Sequence, residues 1–359
     1  MDFKSLFNKK ASYVGIDIGS LGLRIVEISV GGDQPKITKM RFIPLKPEFF
    51  QGYVIPGASS VGDLMVQAVA ELELGNSMAC VAIPAPAVFN KRLKVAKVDP
   101  SELNTNIQFE AAAILPGGTS GVKLDYHVLG ESGKNYLEVL ILAVKNDIVD
   151  AYTDTVALGG LQTAVVDIET FAFQNIYELC NPEDFEKTIA YIHIGARYSA
   201  ISVCKSGVPL VMGDSAVGGR QVSESIVEAT AVKYVEAEEL KKNDDASSQH
   251  FMAVRKVFEA QSEKIASELV RQVTFLWNAA GGGPLNKIVI SGGGALLPGL
   301  IEKIIEKSGV ETSFFDPVTA MTVDDSISQT DLDAVRGRLT VACGLAIRQI
   351  GDKEAPEFD

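Results

Sequence analysis

Apolar runs broken by glycine and turn residues open the chain. Tyr13 to Ile18, Leu23 to Val30 and Lys36 to Leu45 carry the apolar density of strands, and Gly31-Gly32-Asp33 turns the second into the third. The apolar positions then shift to helical spacing at Val61, Leu64, Met65, Ala68, Val69 and Leu72, which predicts a helix over 61–74. Met78 to Ile83 follows as a buried strand closed by Pro84 and Pro86.

The pattern changes character from about residue 87 to 160. Lysines alternate with apolar residues over Phe89 to Val98, a helix is predicted from Ser101 to the stop at Pro116-Gly117-Gly118, and strands are predicted at Val122 to Leu129 and Tyr136 to Val144. A helix from Asp147 to Leu158 ends at Gly159-Gly160. We expect these residues to form a compact unit set inside a first lobe that comprises 13–86 and 161–187. Within that lobe, Leu161 to Ile168 is a buried strand and Glu169 to Leu179 a helix.

A second lobe, 188–351, repeats the opening with strands at Ile189 to Ile194, Ala200 to Cys204 and Pro209 to Ser215, then a helix after Gly218-Gly219. A polar loop is expected at Lys241 to Ser248, then a long helix from Phe251 to Ala280. Strand Lys287 to Ser291, helix Ala295 to Lys307, a short strand near Thr312 to Phe315 and a terminal helix Leu332 to Ile350 complete the expected order. Residues 1–12 form an N-terminal arm with Phe3, Leu6 and Phe7 among lysines, and 352–359 form an acidic tail. The fold class is α/β, as two duplicated lobes with central mixed sheets and a small inserted subdomain.

Composition narrows the function. The 359 residues are 47% hydrophobic and 22% charged, enough for two sizeable cores. A net charge of -13 argues against nucleic acid as a partner, because neutralising phosphates requires clustered Lys and Arg. Cys80, Cys180, Cys204 and Cys343 are scattered without a CxxC, and there are three histidines, so neither disulfides nor a zinc site is expected. No run approaches the ~20 apolar residues of a membrane span. No signal-like stretch precedes the first strand, and a cytoplasmic protein is expected.

Two glycine turns carry the chemistry. Asp17-Ile18-Gly19-Ser20-Leu21-Gly22 and His193-Ile194-Gly195-Ala196-Arg197 each follow an apolar strand and return at once to another, as hairpins do. Backbone N–H groups in such turns cradle phosphate, and two of them facing each other would clamp a nucleotide between lobes. A third glycine run, Gly292-Gly293-Gly294, follows the strand at 287–291. Taken singly, each has a plainer explanation. The Asp17 turn is an ordinary Asp-stabilised hairpin, the triplet a strand-to-helix turn, and Glu238 with Lys241 an exposed i,i+3 pair.

Together these motifs resemble the actin/sugar kinase/DnaK-type chaperone superfamily. The resemblance implies an actin-like ATPase fold that binds ATP and magnesium. It makes Asp17 the carboxylate that holds a magnesium-bound water, and Gly19, Ser20, Leu21 and Gly22 the first phosphate cradle. Gly195 and Ala196 would belong to the second cradle, Gly218 and Gly219 to the glycine pair after it. Glu238 and Lys241, within Ala237-Glu238-Glu239-Leu240-Lys241, would approach ribose and adenine, and Gly292, Gly293 and Gly294 would pass the base. Glu169, in Asp167-Ile168-Glu169-Thr170, would orient a magnesium water, and Ala342 to Ala346 resembles the second hinge crossing.

The inserted unit, with Phe109-Glu110-Ala111, Ile114-Leu115-Pro116, Leu124-Asp125-Tyr126 and Leu142-Ala143-Val144-Lys145, resembles the FtsA-like branch and, within it, the PilM family of type IV pilus assembly proteins. That resemblance implies a scaffold peripheral to the inner face of the inner membrane, holding the cytoplasmic N-terminal peptide of PilN. It also implies indirect links to a PilO/PilP complex and to pilus motor ATPases, and self-association. An FtsA-like filament protein and an ATP-dependent small-molecule kinase are the alternatives.

One departure matters. Where relatives open the second phosphate turn with Asp, this chain has His193. A neutral imidazole cannot replace a carboxylate around magnesium, so the expectation is ATP binding with weak or absent hydrolysis, Glu169 and His193 being the catalytic candidates.

Overall fold

The computed structural model describes residues 13–31, 34–242, 246–335 and 337–349. The N-terminal arm, Gly32-Asp33 of the first turn, Asn243 to Asp245, Ile350 and the acidic tail lie outside the described residues.

Strands β1 (Val14–Gly19), β2 (Gly22–Ser29) and β3 (Lys36–Pro44) form an antiparallel meander. Helix α1 (Ser59–Glu71) presents Val61, Met65, Ala68 and Val69 to the core, and β4 (Met78–Ile83) then pairs parallel with β1. Next come β5 (Phe89–Ala96), α2 (Pro100–Ile114), β6 (Val122–Glu131), β7 (Tyr136–Lys145), α3 (Asn146–Leu158), β8 (Gln162–Ile168) and α4 (Glu169–Cys180). Helix α2 starts where the sequence places a start: Asp99 accepts the Ser101 N–H at 2.9 Å, and Pro100 fills the first turn.

The second half repeats the meander with β9 (Thr188–Ile194), β10 (Ser199–Lys205) and β11 (Val208–Ser215). It continues through α5 (Gly219–Thr230), α6 (Tyr234–Lys242), α7 (Phe251–Ala279), β12 (Lys287–Ser291), α8 (Leu300–Ser308), β13 (Thr312–Phe314), α9 (Pro317–Ala320), β14 (Thr322–Val323), α10 (Gln329–Val335) and α11 (Thr340–Ala346).

Three sheets result. The first has order β14-β3-β2-β1-β4-β8, the second β11-β10-β9-β12-β13, and the third, small one β5-β7-β6. The small sheet closes its own core with α2 through Val95, Ile107, Ala111, Val139 and Ile141. Its opposite face sends Leu140, Leu142 and Leu129 into the first core. Phe109, on the outer side of α2, is 75% exposed.

Four expectations change. Helix α3, expected in the inserted unit, packs its Ala151, Tyr152 and Val156 in the first core, because that is where its apolar stripe finds a partner. The helix expected from Ala295 begins at Leu300 instead. One 3-10 turn over Gly293–Leu296 precedes it, and Pro298 with Gly299 in the left-handed region re-aims the chain. Lys241 and Lys242 are helical, not loop. The terminal helix is two helices, broken at Gly337, whose carbonyl is taken by the Gly292 N–H at 2.9 Å.

The last segment also leaves the second lobe to which 188–351 assigned it. β14 pairs parallel with β3, and Lys36 reaches Asp324 at 3.0 Å. Helix α11 lies against β1 and α4 with almost no side chain between: a Cβ on Gly15 would sit 2.0 Å from the Ala342 carbonyl oxygen, and one on Gly344 1.8 Å from that of Ala172. A third core gathers Val26 and Ile28 of the first sheet, Phe173 and Tyr177 of α4, Tyr191 and Val289 of the second sheet, and Leu339 and Cys343 of the last segment.

Because no rotamer relieves a clash with a backbone oxygen, Gly344→Ala is expected to cost ~2 kcal/mol or more. Gly75→Ala, where a Cβ meets nothing within 4 Å, is expected to stay within about 0.5 kcal/mol of wild type. Denaturant melts of the two variants measure the difference.

Candidate functional site

The two glycine turns face each other. Gly19 lies opposite Gly22 in the β1–β2 register, which leaves Ser20 and Leu21 at the tip. Ile194 lies opposite Ser199 in the β9–β10 register, and the Gly195 N–H donates to the Tyr198 carbonyl at 3.0 Å across the second tip. The start of α5 is tied to that tip, with Gly219 N–H to Gly195 O at 2.9 Å and Arg220 N–H to Ala196 O at 2.8 Å. Between the tips lies a cavity of about 200 Å³, lined by Ser20, Leu21, Ala196, Arg197, Arg220 and Tyr234 among others.

The glycine triplet divides into two positions packed on the second turn and one beside Arg338. Gly292 has φ +94, and a Cβ on it would be 2.5 Å from the Ile194 carbonyl oxygen; one on Gly294 would be 2.5 Å from Ile194 Cγ2. Both let the triplet press against the second turn. A Cβ on Gly293 would instead meet the Arg338 side chain, 3.2 Å from Nε, at a backbone conformation open to any residue. Gly219 sits beside this group, since a Cβ there would be 3.5 Å from the Gly294 Cα and 3.8 Å from Lys241 Nζ.

Glu238 and Lys241 are not an exposed pair. They meet at 2.7 Å with side chains 18% and 19% exposed, and Lys241 Nζ also donates to Ser223 Oγ at 2.7 Å and Gly219 O at 3.1 Å. Ser223 in turn donates to Glu238. Lys241 therefore holds the carbonyl of the first α5 residue and anchors α6 against α5.

Asp17 lies in the first turn, and Arg24, its cross-strand neighbour, grips it at 2.8 Å. Burial pushes the Asp17 carboxyl up, and the Arg24 guanidinium opposes that rise. His193 is half-buried and neutral. Burial, with the nearby Arg24 charge, holds its pKa down at about 3, and its Nδ1 has no hydrogen-bond partner. Glu169, at the start of α4, accepts the Ala85 N–H at 2.6 Å and the Tyr198 hydroxyl at 3.0 Å. Burial above all, and the proximity of Asp17 and Asp214, push its pKa up to about 8. Asp214, on β11 opposite Ala200, is near enough for its charge to act on Glu169.

Of the predicted residues, the structure brings Ser20, Leu21 and Ala196 to one cavity and sets Gly195, Gly219, Gly294 and Lys241 beside one another. Arg24 was readable from hairpin register, since a two-residue turn sets it opposite Asp17. Arg338, whose charge is felt by the same cleft groups as Arg24 and Glu238, was hidden inside an expected helix. Tyr198 and Arg197 had no sequence signal beyond their place in the turn. Among the described residues, no group of three or more His, Cys, Asp or Glu is placed to hold a metal directly.

The comparisons with known proteins follow this geometry. A family model described as type IV pilus assembly protein PilM matches residues 15–350. The chain is similar to the solved structure of a PilM-PilN type IV pilus biogenesis complex, with a TM-score of 0.80 and 22% identity over 94% of this chain and 98% of that one. It is also similar to the ethanolamine utilization protein EutJ from Carboxydothermus hydrogenoformans, with a TM-score of 0.56 and 16% identity over 96% and 93% of the two chains. MreB5 of Spiroplasma citri bound to ADP matches with a TM-score of 0.50 and 12% identity over 85% and 91%. The fold is the actin-like ATPase fold, as the motifs imply.

A glutamic acid that keeps its proton in the folded state leaves a pH signature. The folded pKa of Glu169 stands above the unfolded one, so its contribution is full at low pH and is lost as pH rises through about 8. Wild-type stability is expected to fall from about pH 5 to pH 8, between the unfolded and the folded pKa, with a slope from this group of up to about 1.4 kcal/mol per unit, and to level off above pH 8. Glu169→Gln, which mimics the protonated acid, is expected to flatten that slope in melts across the same range.

Proposed function

The chain belongs to the type IV pilus assembly protein PilM family, and we propose that it is an ATP-binding scaffold holding the cytoplasmic N-terminal peptide of a PilN-like membrane protein. The observation that carries this proposal is the pairing of a glycine-lined cleft between two lobes with a separate small sheet that the cleft does not need.

For the nucleotide, the Gly19 to Gly22 turn and the Gly195–Ala196 turn would hold phosphates. Arg24, Arg338 and the half-buried Lys241 would supply countercharge, and Gly293 would leave room for the base. Magnesium fits through water: Asp17 and Asp214 each lie within electrostatic reach of Glu169, and magnesium commonly keeps several of its waters. A bound dication would screen developing charge on a phosphoryl group. His193 offers no carboxylate to that arrangement, which supports binding with weak or absent hydrolysis.

For the partner, β5 is an edge strand of the small sheet, with Lys91 and Lys94 exposed along it. An extended, largely apolar peptide in a groove between this sheet and the first lobe would gain backbone hydrogen bonds and side-chain pockets, as in strand addition. No helix among the described residues is long and apolar enough to cross a membrane. Attachment to the inner face of the inner membrane would therefore come through the partner. Contacts to a PilO/PilP complex, to motor ATPases and to further copies of the chain would build on that peptide link.

Two experiments test the proposal. Calorimetry with millimolar Mg-ATP is expected to show binding to wild type and its loss in Gly293→Val, with melting unchanged in the absence of nucleotide; no heat with wild type removes the ATP half. Capture on an immobilised PilN N-terminal peptide is expected for the full chain and not for a folded variant lacking 89–145. Equal capture by both places the partner elsewhere, and none by either removes the partner half.

A further inference from the structure

The mouth of the cleft is strapped shut by contacts that neither nucleotide nor partner binding requires. Arg197, on the second turn, reaches across to the first lobe, where its Nη2 donates to Pro47 O at 3.1 Å and its Nη1 to Gly52 O. Its guanidinium lies over the Phe50 ring, 5.6 Å from the centroid. The next residue, Tyr198, meets Tyr53 edge to face with centroids 5.3 Å apart, while its hydroxyl reaches inward to Glu169.

Both ends of the strap are rigid. The 47–54 loop is nailed to the first core by Phe50 and Ile55 and closed on itself by the Gln51–Val54 bridge. The Arg197 turn is fixed to α5 by the two backbone bonds from Gly219 and Arg220. Neither side is a flap, so the contact breaks only when the lobes part. The α11 packing on β1 is at the Tyr13–Gly15 end of that strand, whereas the strap is at its turn end, where separation on opening is larger.

We propose that Arg197 and Tyr198 form an interlobe latch with Pro47 to Tyr53 that must release for a nucleoside triphosphate to enter or leave the cleft. This deepens the ATP-binding proposal and rests on it. The terminal guanidinium nitrogens hold first-lobe carbonyls, which gives Arg197 a role in lobe closure distinct from phosphate binding. The latch sets the rate of exchange, and it slows admission and release alike.

Stopped-flow mixing of a fluorescent ATP analogue with the full chain, followed by a chase of unlabelled ATP, gives both rate constants. Arg197→Ala is expected to raise association and dissociation together by roughly fivefold or more, after discount for partial exposure, with a much smaller change in Kd. Tyr53→Ala, on the lobe opposite the second turn, is expected to act in the same direction. Unchanged rates in both variants overturn the latch. So does faster dissociation in Arg197→Ala alone with association unaltered, which makes Arg197 a phosphate ligand. If wild type binds no analogue, the ATP proposal fails, and amide hydrogen exchange of 47–54 without nucleotide decides the latch. Faster exchange in Arg197→Ala supports it, and equal exchange overturns it.

Discussion

Backbone resting on backbone is the constraint on which this structure depends. Where α11 crosses β1 and α4, the Gly15 and Gly344 positions would each put a Cβ within 2.0 Å of a main-chain oxygen, so only hydrogen fits. Contacts of that kind have no rotamers and little give. They fix the last segment against the first sheet, and the core shared by Tyr177, Tyr191, Phe315 and Leu339 then fixes the second sheet against the first. The two glycine turns sit at the ends of strands held this way. Their mutual distance is set by the crossing beneath them, with Arg197 adding a second restraint at the mouth.

Charge inside the cleft is balanced internally. Arg24 pairs with Asp17, Lys241 with Glu238, and Glu169 avoids the problem by keeping its proton. His193 stays neutral beside Arg24. Asp17 holds Arg24 at 2.8 Å and Glu238 holds Lys241 at 2.7 Å, so an anion drawn to either cation would compete with the protein's own carboxylates.

Much of this was legible in the sequence because the signals are local. The meanders, α1, β4, the start of α2 and β12 follow apolar period and turn chemistry, and the hairpin register alone sets Arg24 opposite Asp17. The motifs also singled out Gly195, Gly219 and Gly294, which the structure sets side by side. What stayed hidden is tertiary. Period cannot tell which core a helix will join, so α3 was assigned to the wrong one. An apolar stripe over 332–350 reads as one helix until Gly292 takes the carbonyl of Gly337 and breaks it. Three consecutive glycines look alike in sequence, yet Gly292 and Gly294 are needed for close packing on Ile194 while Gly293 faces the Arg338 side chain. The Arg197 contacts join residues 145 and 150 positions apart, beyond any local pattern.

The two-residue strand β14 has a consequence for how the chain reaches this state. Thr322 bonds the Pro35 carbonyl across 287 positions of sequence, and everything from β9 to β13 lies between. The first sheet therefore cannot acquire its outer strand, nor the crossing its α11, until the whole second meander has been synthesised. Closing so long a loop is slow, and an incomplete first sheet exposes an unpaired β3 edge on the ribosome. The first-made lobe is the last finished, so folding waits on the segment from β14 to α11.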